Sequence, residues 1–135
     1  MKIKLSTLKP TLNSLFFIRL MIVTPFLWAG FTKIMGFSQM VDFIGKSTPL
    51  PLPTVALLIA IIIEIPVALM FVWGCSKKNA AIALGVFTVI ATILFHNPFV
   101  NGTLDGMQLI QVLKNTAIIG GLWAVTVCAC ETCKA

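Results

Sequence analysis

Apolar residues fill long stretches of this chain, and the polar ones gather between them. Four stretches approach the roughly 20 apolar residues that a helix needs to cross a bilayer core: residues 15–36, 55–73, 79–95 and 107–129. The third is short. Pro25 and Pro66 fall inside the first two. Membrane helices accept prolines where neighbours re-satisfy the freed carbonyls, so kinks rather than breaks are expected. Ser47-Thr48-Pro49-Leu50-Pro51-Leu52-Pro53 forms a proline-rich connector, His96-Asn97-Pro98 closes the third stretch, and Asn101-Gly102 through Gly106 turns into the fourth. The pattern predicts an all-α integral membrane four-helix bundle, with residues 1–135 as a single domain.

Composition sharpens this. Hydrophobic residues make up 59% of the chain and charged ones 10%, with a mean hydropathy of +1.03. A soluble domain is about 25% charged, so soluble-enzyme, nucleic-acid-binding and disordered classes are excluded, and a lipid bilayer is the expected surrounding. The net charge of +6 then reads as cationic loops. Lys2, Lys4, Lys9, Lys77, Lys78 and Lys134 fall on one side of a four-span threading. The other side has Lys46, with Lys33 at the boundary, against Asp42 and Asp105. The positive-inside rule therefore predicts a multi-pass inner (plasma) membrane protein with both termini cytoplasmic. Reading the first stretch as a cleaved signal is disfavoured, because Arg19 and Lys33 interrupt it and no small-residue cleavage site follows.

Charges inside spans are expensive, about 2.5–3.5 kcal/mol each at mid-bilayer on insertion scales. Arg19, Lys33, Glu64, His96 and Lys114 all lie within or at the ends of the spans. At about 1.5 Å per residue, Glu64 lies about 13–14 Å and Lys114 about 10–11 Å from the outer end, close enough in depth to pair. Arg19, Phe26, Gly30 and Lys33 share a helical stripe, as do Thr88, Thr92 and His96. Gln108, Gln111 and Asn115 line one side of the fourth span, with Lys114 beside them. All are expected to face one interior. Arg19 and Lys33 can alternatively snorkel to headgroups, and His96 can simply cap a helix end. If the three cations do face inward against one carboxylate, the cavity is positive and suits a ligand with oxygen acceptors or negative charge. A quinone, a sulfur oxyanion or persulfide, and a lipid headgroup all qualify. In this reading Glu64 and His96 handle protons, while Arg19, Lys33, Lys114 and Asn115 hold the acceptor.

The ordered set of these residues resembles the DoxX family of small four-helix membrane proteins. It comprises Arg19, Phe26-Leu27-Trp28-Ala29-Gly30-Phe31-Thr32-Lys33, Thr48-Pro49-Leu50-Pro51, Glu64 with Gly74, Ala80-Ala81, His96, and Lys114-Asn115 through Gly120-Gly121. One departure is that Val67 and Ala68 stand where the family often has a glycine pair. The resemblance implies a membrane subunit of a redox system, of the kind found with thiosulfate:quinone oxidoreductases and thiol-stress complexes. The sequence has no haem motif or dinucleotide fingerprint, so electron transfer requires a soluble or membrane redox partner protein or a diffusible carrier.

Cys75, Cys128, Cys130 and Cys133 all fall at the expected cytoplasmic face, where thiols stay reduced. Four thiolates there can form a tetrahedral soft-metal site, although Cys-X-Cys-X2-Cys is not a standard spacing. Two competing functions follow: a non-enzymatic scaffold or assembly factor whose polar stripes fix helix packing, and a metal-handling protein that uses the thiols.

Overall fold

A computed structural model describes residues 12–74, 76–100 and 102–132. It is an all-α bundle of four membrane-length spans. Helix α1 is Leu12–Met35. A shorter helix α2, Phe37–Ser47, follows at once. The second span is composite, with α3 (Pro53–Ile62), a π-turn (Ile63–Val67) and α4 (Ala68–Trp73). Helix α5 is Lys77–Phe95, a two-stranded hairpin pairs Phe99–Val100 with Thr103–Leu104, and α6 is Gly106–Thr132.

Local chemistry explains the boundaries. Pro53 opens α3 at a position where its missing N–H costs nothing. Pro66 sits in mid-span, where it cannot donate to the preceding turn, and the widened π-turn absorbs that defect without ending the helix. Gly74, at φ 84°, closes α4 in the left-handed conformation and donates its N–H to Met70 O at 3.1 Å. At the start of α6, Asp105 Oδ1 accepts the N–H of Met107 at 2.9 Å and so caps the helix.

Two elements escape the hydropathy pattern. Helix α2 buries Ile44 and half-buries Phe37, Met40 and Val41, while Ser38, Gln39, Asp42 and Lys46 are exposed. That is an amphipathic helix suited to an interface plane. It is too short and too polar to register as a span. Its Phe43 stacks on Phe95 at 5.9 Å between ring centroids, tying it to the end of α5. The hairpin is two residues per strand, below what periodicity can signal.

The exterior is apolar. Trp28, Trp73 and Trp123 are 69%, 69% and 72% exposed, as expected of a surface that faces lipid. The packed core lies at one end: Val23 and Phe26 of α1, Ala68, Phe71 and Val72 of α4, Ala80, Ala81 and Leu84 of α5, and Leu122 and Val125 of α6. This is the end that carries Lys77 and Lys78. The other half of the bundle, beneath α2 and the hairpin, holds most of the buried polar groups.

Candidate functional site

The site begins with a close approach between two antiparallel helices. Gly30 of α1 lies against the π-turn so tightly that a Cβ there would sit 2.6 Å from Ile65 Cγ1 and 3.2 Å from Glu64 Cβ. Only hydrogen at this position lets the backbones come so near. Lys33 is three residues on, on the same face of α1. Its Nζ donates to both carboxylate oxygens of Glu64 at 2.8 Å each. The π-turn carries Glu64, and the residue is 4% exposed. The Lys33 side chain is 20% exposed, so the pair is buried on the carboxylate side and open on the ammonium side.

A second polar cluster joins α5 to α6. Asn115 Nδ2 donates to Thr92 Oγ1 at 2.8 Å, and Thr92 Oγ1 donates to Thr88 O at 2.6 Å. Nearer the helix ends, His96 Nδ1 lies 3.0 Å from Gln108 Oε1. An amide oxygen only accepts, so Nδ1 is the donor in this contact. Replacing Asn115 with leucine should cost about 0.6–1.7 kcal/mol, the range for hydrogen bonds between membrane helices. A double-mutant cycle with Thr92→Val checks this, since the two losses should not add if the bond is shared.

Several expectations from sequence are met in detail. Arg19, Phe26 and Gly30 are all buried and Lys33 is half-buried, so the α1 stripe faces inward as a unit. Thr88 is buried and Thr92 and His96 half-buried on the matching stripe of α5. Arg19 is 6% exposed, so most of its side chain is covered by protein.

The pairing of Glu64 with Lys114 is corrected. Lys114 is exposed on α6 and donates to Gln111 Oε1 of the preceding turn. It lines an open apolar groove of about 320 Å³ with Met21, Ile22, Pro25, Ala117 and Ile118, between α1 and α6. Similar depth along two helices says nothing of the direction in which each side chain leaves its axis, and Lys33 reaches Glu64 because Gly30 brings α1 against the π-turn. The single positively charged interior is corrected with it. Lys33 and Glu64 neutralise each other, Lys114 points outward, and Arg19 lies at the opposite end beside Gly74. The sequence placed Gly30 on the inward stripe and Pro66 inside the second span, but signalled neither the close approach nor the π-turn. A glycine on a charged stripe facing a mid-span Glu-X-Pro was the available signal. Of the cysteines, Cys75 and Cys133 lie outside the described residues, and Cys128 and Cys130 are described in backbone alone.

Two comparisons with known proteins return a match. The DoxX family model matches residues 14–97, which includes Arg19, Lys33, Glu64 and His96 but stops before α6. Inner membrane protein YphA of Escherichia coli (strain K12) is 31% identical over 111 residues, covering 80% of this chain and 79% of that protein. No solved structure matches the chain.

Proposed function

The chain belongs to the DoxX family of integral membrane proteins, and from that premise we propose that it is a redox-linked inner-membrane subunit whose Lys33–Glu64 pair receives a quinone head group. The observation that carries this reading is the ion pair itself. Two ammonium protons of Lys33 are held by the two carboxylate oxygens, a third remains, and the ammonium side is the accessible one. Intramembrane ionisable groups are functional by default. A pair already neutral favours a neutral ligand with an oxygen acceptor, such as a quinone carbonyl, over a sulfur oxyanion that needs an uncompensated cation. Glu64 and His96, at the same half of the bundle, are the groups that exchange protons with such a ligand. Electrons come from a partner protein. The inner-membrane placement rests on the four spans and on the relative's name, and the lysine distribution supports cytoplasmic termini.

A short-chain quinone analogue, titrated into the purified protein in nanodiscs, tests the site. Lys33→Met should weaken binding about 10–100-fold, the worth of one charge-assisted hydrogen bond. Lys114→Ala, on the outer surface, should leave it unchanged. Equal affinity in wild type and Lys33→Met removes the pair as the ligand site. A scaffold role is the second reading, favoured by the mutual satisfaction of Lys33 with Glu64, Asn115 with Thr92 and His96 with Gln108. It predicts no quinone binding by any variant.

A further inference from the structure

The end of the bundle opposite the quinone site concentrates positive charge without a described counter-charge. Arg19 is 6% exposed, and its Nε is buried with no hydrogen-bond partner. Among the described side chains the only ion pair is that of Lys33 with Glu64, and none of the described carboxylates pairs with Arg19. A buried guanidinium nitrogen without a hydrogen-bond partner is costly in an apolar setting, which makes its surroundings informative. Its Nη1 lies 3.0 Å from where a Cβ on Gly74 would stand, so the guanidinium packs against Gly74, where the turn from α4 to α5 begins. That turn feeds the N-terminus of a 19-residue helix.

The start of α5 is equally electropositive. Ser76 occupies the N-cap at φ 48°, a left-handed conformation uncommon for a residue with a side chain, and its hydroxyl makes no capping bond. Lys77 and Lys78 follow, with no acid in the first turn. A helix start normally has its free amides satisfied by a capping side chain or an acid. Here the amides, the positive end of the helix dipole and two lysines adjoin a turn that holds a buried arginine. Amides at a helix N-terminus combined with a guanidinium are the donor set that binds phosphate.

We infer that Arg19, Lys77, Lys78 and the first-turn amides of α5 bind a phosphate group. A phospholipid headgroup and free inorganic phosphate offer the same chemistry, and lipid is the nearer source for a site at the end of a membrane span.

Thermal unfolding of the full chain in detergent micelles tests this, with phosphatidylglycerol, phosphatidylcholine or inorganic phosphate added. Phosphatidylglycerol should raise the midpoint by at least about 4 °C, with a much smaller shift from phosphatidylcholine. An equal shift from inorganic phosphate also supports the site and makes free phosphate its ligand. Lys77→Gln/Lys78→Gln should lose most of the shift, Arg19→Gln should lose it entirely, and Lys46→Gln, at the other end, should keep it. If Arg19→Gln does not fold, the lysine double variant decides. Equal shifts from the two lipids, a full shift in Lys77→Gln/Lys78→Gln, or a matching loss in Lys46→Gln each overturn the proposal.

Discussion

Lys33→Met should destabilise the folded bundle by about 3–5 kcal/mol, the usual cost of stripping one partner from a buried ion pair. The carboxylate of Glu64 is 4% exposed and has Lys33 as its ion-pair partner, so removing the ammonium leaves a buried charge without that partner. Adding Glu64→Leu to the same chain should return most of the loss, because replacing both charges by apolar groups of similar volume is often neutral or stabilising. Equilibrium unfolding of both variants in mixed micelles gives the comparison. If single and double variants unfold together, the pair contributes little and Glu64 has another source of compensation. The double variant is useful beyond stability: a folded bundle without the pair should bind no quinone, which separates a site from a packing device.

Gly30→Ala should cost about 1–3 kcal/mol, the range for forcing extra volume into a packed contact. The sign is notable because alanine is the better helix former by about 0.5–1 kcal/mol. The reversal comes from Ile65 Cγ1 and Cδ1, at 2.6 and 3.0 Å from the new Cβ. Helix α1 has to withdraw from the π-turn, and Lys33, one turn further along, withdraws with it. Gly120 supplies the internal control, since a Cβ there meets nothing within 4 Å, and Gly120→Ala should be neutral or stabilising. Combining Gly30→Ala with Ile65→Ala should recover part of the loss, leaving the contact with Glu64 Cβ at 3.2 Å. The measurement is again the unfolding midpoint in micelles. A stabilised Gly30→Ala variant means the helices separate at no cost and the close approach does not hold the site.

These two predictions meet at one place in the chain, and the sequence announces only part of it. The mid-span acid was evident because nothing apolar explains a glutamate at that depth. The inward stripe of α1 was evident from the seven, four and three-residue steps from Arg19 to Lys33. The partner was not. By depth Lys114 matched Glu64 while Lys33 lay nearer the outer end, yet the choice between them turns on how the helices are rotated about their axes. Helix α2 shows the same limit in another form. Its apolar residues repeat at helical spacing, yet a segment of 11 residues gives no span-length signal, and its role at the bundle end appears only through Phe43 on Phe95.

What the sequence determined by itself is the number of spans, their approximate limits, their membrane setting and which charged residues fall within them. Those are properties of each segment taken alone, set by transfer of side chains and backbone out of water. Which charges meet was decided by tertiary structure. It depends on helix rotation and on how closely two backbones can approach, and here both rest on a glycine packed against a turn that a proline has widened.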